Sequence, residues 1–146
     1  MRTTSLIVIA RTLKLLPINN VEYLDAKDIL RIHSMAVDET GGSHGVRDMH
    51  TVLSLGNSPK QAVFGEELYP TVFLKASVYA REIIMGHPFL DGNKRTAMVC
   101  ASVFLEANNY FSNLKKGQIE KFALKIVKER LELNDIAKWF EKHFNN

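Results

Sequence analysis

Two stretches of this chain leave little freedom in how it can fold. Residues 71–85 are apolar on almost every helical face, from Val72, Phe73 and Leu74 through Tyr79 to Ile83, Ile84 and Met85, with charge only at Lys75, Arg81 and Glu82. Residues 94–107 repeat the pattern through Ala97, Met98, Val99, Ala101, Val103, Phe104 and Leu105. A helix without a polar face belongs inside a bundle. Two such helices in succession, joined by the polar loop 86–93, require a shell of amphipathic helices around them.

The rest of the sequence supplies that shell. A helix is expected over residues 26–39, with Asp25 as N-cap and Gly41-Gly42 as its stop, and a shorter one between Arg47-Asp48 and Gly56. Ile119, Phe122, Ala123 and Ile126 fall at helical spacing, as do Ile136, Trp139, Phe140 and Phe144 after the cap candidate Asn134. Between them, residues 57–70 change character, with Val63-Phe64 just before Gly65, and read as an extended or hairpin loop, the one non-helical stretch with body. The expected class is all-α, a bundle of about six helices with one short extended flap.

Composition bounds the function classes. At 146 residues, 46% hydrophobic and 24% charged, the chain suits one soluble domain with a buried core. The net charge of +3 is small and its lysines and arginines are scattered, so no direct nucleic-acid contact is expected. The apolar run from Leu6 to Ala10 is too short to span a bilayer, and no membrane association is expected. A single cysteine, Cys100, excludes an intrachain disulfide framework, fits a buried filler, and makes a cytoplasmic location the simpler expectation. Residues 1–21 read as an N-terminal extension of open role, an added strand, an oligomer contact or a frayed arm, and residues 22–146 as the domain.

The chemistry concentrates in the loop between the two central helices, His87-Pro88-Phe89-Leu90-Asp91-Gly92-Asn93-Lys94-Arg95-Thr96-Ala97. Gly92 and Asn93 open a helix, so the free N–H groups of its first turn and the positive end of its dipole form an anion site. Arg95 adds a fork for phosphate oxygens, and Asn93 offers a further donor. Asp91 suits a Mg²⁺ that bridges the same phosphates. His87, at the end of the preceding helix, suits a general base for an incoming hydroxyl. Each residue alone has a plainer reading: His87 a surface or capping residue, Asp91 an N-cap, Lys94 and Arg95 a solvated face. Pro88 and Phe89 read as structural, stiffening and anchoring the loop.

The string HPFLDGNKRTA resembles the Fic motif, His-x-Phe-x-(Asp or Glu)-Gly-Asn-x-Arg, and its Asn-Lys-Arg-Thr-Ala ending resembles the death-on-curing (Doc) branch of the Fic/Doc family. So many specified positions in register make it a strong signal. The segments RIHSMAVDETGGSHGVRD and AVFGEELYPT also resemble the Doc pattern, and the likeness runs from about Tyr23 to Phe144. The resemblance implies His87 as general base, Asp91 as magnesium ligand, Gly92 and Asn93 in a phosphate-binding anion hole, and Arg95 as phosphate ligand, with Lys94 beside them. It implies that the flap, Ala62, Val63, Phe64 and Gly65, holds a target segment as an added strand.

Lys94 replaces a motif glycine and Met98 a second arginine, both as in the Doc branch, whereas Gly92 matches the adenylylating members. The expected function is a toxin of a toxin–antitoxin pair that uses ATP and Mg²⁺ to phosphorylate a Ser or Thr of a target protein, a translation elongation factor being the family's suggestion. AMP transfer by the same site is the alternative, and a non-catalytic partner-binding module the alternative from another class. Self-inhibited family members carry a (Ser or Thr)-x-x-x-Glu-(Gly or Asn) helix; here Ser102 to Glu106 is followed by Ala107. A separate small antitoxin protein is therefore the expected restraint.

Overall fold

The computed structural model describes residues 21–146; the N-terminal extension, apart from Val21, lies outside the described residues. Six α-helices make up the described part: α1 (Ala26–Thr40), α2 (Met49–Leu55), α3 (Val72–Gly86), α4 (Asn93–Ala107), α5 (Gln118–Glu129) and α6 (Leu133–His143). The two apolar stretches are α3 and α4. They pack along each other at the centre, with α6 against α3, α1 and α5 against α4, and α2 against α1. Ala76, Tyr79, Ala80, Ile83, Ala97, Cys100, Ala101 and Phe104 are fully buried between these helices. Burial pushes the Cys100 thiol well above its ordinary pKa, so it is inert filler.

The helix ends are those the sequence dictates, with one exception. Asp25 caps α1 in a reciprocal box with Asp28, each carboxylate accepting from the other's backbone N–H at 2.9 Å. Asp48 caps α2 through Thr51, and Thr71 caps α3 through Leu74 N–H. The last helix begins earlier than expected. Glu132 is its N-cap, and the cap candidate Asn134 lies inside the first turn. The register follows Ile136, Ala137 and Phe140, which must face the core, and Leu133 continues the helix at no conformational cost.

The flap is a hairpin of β1 (Ala62–Val63) and β2 (Glu66–Glu67). Its turn residues Phe64 and Gly65 have φ of 52° and 81°, the positive values that a two-residue hairpin turn demands and that glycine adopts without strain. A second small sheet was not expected. Strand β3 (Phe111–Ser112) pairs with β4 (Phe144–Asn145), so the flap is not the one extended stretch with body. Phe144, expected on the last helix, instead leaves it at His143 and buries its ring from the strand.

Lys75 is the largest surprise in the core. It is 1% exposed on α3, and its Nζ donates to Glu67 Oε1 at 2.7 Å, Tyr69 O at 2.6 Å and Pro59 O at 3.4 Å. One ammonium thus ties both ends of the flap to the central helix. Lys75→Ala should destabilise the protein by about 2 kcal/mol, because it empties a buried side-chain site and takes the donor from Pro59 O and Tyr69 O, whereas the half-exposed Glu67 carboxylate turns to water. Urea unfolding with an unchanged slope and a lowered midpoint would verify it; an unchanged midpoint would show the contact to be dispensable.

Candidate active site

The sequence at the α3–α4 junction fixes an unusual pair of backbone states. Helix α3 runs through Gly86, and His87 takes the left-handed C-cap position (φ 47°, ψ 55°), its N–H donating to Ile83 O at 3.1 Å. Gly92 is the left-handed N-cap of α4 (φ 76°), which a residue with a Cβ enters only under strain. No side chain caps α4, so the N–H groups of Asn93, Lys94 and Arg95 point out of an unblocked helix terminus. Thr96 N–H already bonds Gly92 O, at 2.9 Å, and marks where the intrahelical ladder begins.

Between these points the loop is held from inside and from the side. Asn93 is 9% exposed and uses its whole amide on one residue: Oδ1 accepts from Phe89 N–H at 3.0 Å and Nδ2 donates to Phe89 O at 2.9 Å. Its side chain therefore closes the loop, and what it turns to the helix terminus is its backbone N–H. The Phe89 ring is buried and lies flat on the His33 ring, centroids 3.8 Å apart and planes within 6°. His33 in turn bonds Asp91 O through Nε2 at 2.8 Å. Asp91 does not cap the helix. Its Oδ2 accepts from Ser43 N–H at 2.8 Å, which ties it to the glycine-rich stretch after α1. From the same stretch, Leu90 N–H bonds Gly45 O at 3.1 Å, Arg47 and Asp48 N–H bond Pro88 O at 2.7 and 3.0 Å, and the Arg47 guanidinium grips His87 O.

The helix terminus opens on a cavity of about 410 Å³. Gly92, Asn93, Lys94 and Arg95 form its polar end, Thr40 its rim, and Met98, Ile119, Ala123 and Leu124 a largely apolar wall built by α4 and α5, in which Glu120 is the one carboxylate. Arg95 reaches Glu39 Oε2 at 3.4 Å. Both side chains are well exposed and such pairs are weak, so the guanidinium is available to an anion at the terminus. The His87 imidazole lies outside the cavity lining, exposed, with no hydrogen-bond partner among the described residues.

The fold therefore brings Asp91, Gly92, Asn93, Lys94 and Arg95 to one helix terminus with His87 at the other end of the same short loop. The flap residues Ala62, Val63, Phe64 and Gly65 form a separate exposed hairpin, with Phe64 at its tip. Sequence reasoning did not assign His33, Ser43, Arg47 or Lys75. The segments 31–48 and 62–71 read as helix, helix boundary and flap, and nothing local marks a histidine that will bond a carbonyl 58 positions away.

No group of three or more His, Cys, Asp or Glu suited to a metal occurs among the described residues. That is compatible with Mg²⁺, which takes one or two carboxylates and fills its octahedron with phosphate oxygens and water. Asp91 fits this part: one carboxylate oxygen is anchored by Ser43, and the group sits one residue before the anion-binding terminus.

Taken together, these features define an all-α domain whose two central helices are joined by a short loop with a histidine at one end and an uncapped helix terminus at the other. A model of the Fic/DOC family matches residues 23–105, more than half of the chain. The protein belongs to the Fic/DOC family. It is similar to Toxin Doc of Mycolicibacterium smegmatis, 37% identical over 87 residues, which places it on the Doc side of the family. The match covers 60% of this chain and 65% of that protein, so the chain spans just under two thirds of the relative's length. No helix of the described residues is long and apolar enough to cross a membrane.

Proposed function

We propose that this protein is a Doc-like toxin that transfers the γ-phosphoryl group of ATP to a Ser or Thr hydroxyl of a target protein in the cytoplasm. The observation that carries this reading is the uncapped α4 terminus, which opens with Arg95 on the 410 Å³ cavity while His87 stands at the far end of one rigid loop. Backbone N–H groups aimed at one point, a helix dipole and a guanidinium are the parts that stabilise charge on a transferring phosphate. His87 takes the proton of the target hydroxyl, the hydroxyl oxygen bonds the γ-phosphorus, and the β–γ bridging bond breaks to release ADP. Mg²⁺, held by Asp91, would neutralise charge on the phosphates.

Lys94 and Met98 favour γ transfer over AMP transfer. Both line the cavity, where Lys94 adds bulk and positive charge at the helix start and Met98 supplies an apolar wall in place of a second arginine. An ATP with its γ-phosphate at the terminus keeps the dipole and Arg95 contacts and needs no second arginine. Gly92 supports AMP transfer instead. It stands at φ 76°, where a residue with a Cβ is strained, and it matches the motif of the adenylylating members.

The target lies along the flap. No third strand pairs with β1 or β2 among the described residues, so an outer edge is open to a peptide backbone. A translation elongation factor is the target class that fits growth arrest. The name of the Mycolicibacterium relative supports the toxin role, and a separate antitoxin supplies the restraint. Induced expression of the chain in cells of its own source should arrest growth, and co-expression of the neighbouring small gene should relieve it. Unimpaired growth at full expression of the folded protein would overturn the toxin reading.

A further inference from the structure

His87 occupies a conformation that its own residue type and its neighbour both oppose. A histidine at φ 47° is in the left-handed region that favours glycine, and Gly86, which would enter it freely, stays helical instead. His87 also precedes Pro88, and a residue before proline is pushed toward extended ψ values, whereas His87 has ψ 55°. Strained states of this kind persist where their surroundings over-determine them. The imidazole contributes nothing to that, since it is exposed with no hydrogen-bond partner among the described residues.

Beyond the bond of the His87 N–H to Ile83 O at 3.1 Å, which closes α3, the surroundings are one short segment. Arg47 donates to His87 O from both Nε, at 3.0 Å, and Nη2, at 2.6 Å. The next carbonyl, Pro88 O, accepts Arg47 N–H and Asp48 N–H, and Val46 faces Phe89 in a bridge. Asp48 fixes this segment to the start of α2, its carboxylate accepting Thr51 N–H at 3.2 Å and the Thr51 hydroxyl at 2.7 Å. A guanidinium fork on a single carbonyl sets both the position and the plane of that peptide.

We infer that Arg47 is a positioning residue for His87: its guanidinium, chelating the His87 carbonyl, holds the left-handed backbone that aims the imidazole at the acceptor hydroxyl. In many hydrolases a carboxylate orients a catalytic histidine through its ring nitrogen. Here the orienting contact acts on the main chain and leaves both ring nitrogens free. The inference rests on the reading of His87 as the base, and it adds a residue 40 positions away that never touches substrate.

The test uses the full chain as wild type, Arg47→Ala and Arg47→Lys. The ¹³Cα shift and the HN–Hα coupling of His87 report its backbone state directly, without reference to activity. They should change from left-handed values in the wild type to extended values in Arg47→Ala. Arg47→Lys, with a point charge in place of the fork, should fall between. Phosphoryl transfer from γ-labelled ATP to proteins of a lysate from the source cells should lose about 10- to 100-fold in kcat for Arg47→Ala, the scale of a misplacement of about 1 Å. KM for ATP should stay within about twofold, and added methylguanidinium should restore part of the rate. A His87 that stays left-handed in Arg47→Ala overturns the inference. So does a parallel loss in kcat, ATP affinity and melting temperature, which would mark Arg47 as a scaffold residue only. Wild-type transfer by His87→Ala would instead overturn the base assignment, and the backbone measurement would still decide what Arg47 holds.

Discussion

His87→Ala should lower phosphoryl transfer by about 10² to 10⁴-fold, the usual loss on deleting a general base, and should leave ATP binding and the fold nearly unchanged. The separation of effects follows from the geometry. The groups that would bind phosphate are the first-turn N–H groups of α4 and Arg95, whereas His87 closes α3 and does not line the cavity. Its side chain is exposed and makes no hydrogen bond among the described residues, so its removal leaves no buried group unsatisfied. Alanine at a left-handed position retains the strain of histidine, and the Arg47 contact is to a carbonyl that alanine also carries. Single-turnover transfer and ATP titration on the same preparation would check both halves. A variant that transfers at the wild-type rate would remove His87 from the chemistry, and one that loses ATP binding would place it in the nucleotide site.

Asn93→Ala should be the more damaging change, lowering stability by about 2 to 4 kcal/mol and abolishing transfer together with it. Both atoms of the amide bond Phe89, whose N–H and carbonyl sit in the core without another partner. Truncation leaves a donor and an acceptor buried and unsatisfied, each worth about 1 to 3 kcal/mol. The consequence reaches the chemistry because Phe89 is the loop's anchor. Its ring stacks on His33, and His33 holds the carbonyl of Asp91. A loosened Phe89 displaces the carboxylate and the helix terminus at once. Asn93→Asp is the informative partner variant: it keeps the acceptor for Phe89 N–H, loses the donor for Phe89 O, and brings negative charge to the anion site. It should recover part of the stability and none of the activity. If Asn93→Ala melts like the wild type, the reciprocal amide contact does not hold the loop.

What the sequence disclosed was what local chemistry specifies. The apolar periodicity of α3 and α4 placed the two central helices, and Asp25, Asp48, Gly41 and Gly56 marked helix ends because capping acts over three or four residues. The uncapped start of α4 was legible for the same reason, since Gly92 and Asn93 are adjacent in the chain. Apart from the N-cap of α6, which falls at Glu132 and not at Asn134, the misses are long-range. Lys75 reads as a charge on an apolar helix until Glu67, Tyr69 and Pro59 are folded around it. Arg47 and His33 act on carbonyls 40 and 58 positions away. The strand at Phe144 exists because Phe111 pairs with its neighbour Asn145, and β pairing has no local signature of that length. Asn93 was expected to offer its side chain to phosphate, but the geometry gives that side chain a structural task on Phe89.

The proposed transfer, from ATP bound at the α4 terminus to a protein hydroxyl with His87 as base, is decided by which part of ATP moves. Its most direct test is one transfer experiment with ATP labelled separately at the α and γ positions, using the full chain, its His87→Ala variant and a lysate of the source cells, followed by the intact mass of the labelled protein. The account predicts label from the γ position only, an added mass of one phosphate on a single target, and almost no label with His87→Ala. Label from the α position with an added AMP would contradict the donor assignment, and equal labelling by the wild type and His87→Ala would contradict the mechanism itself.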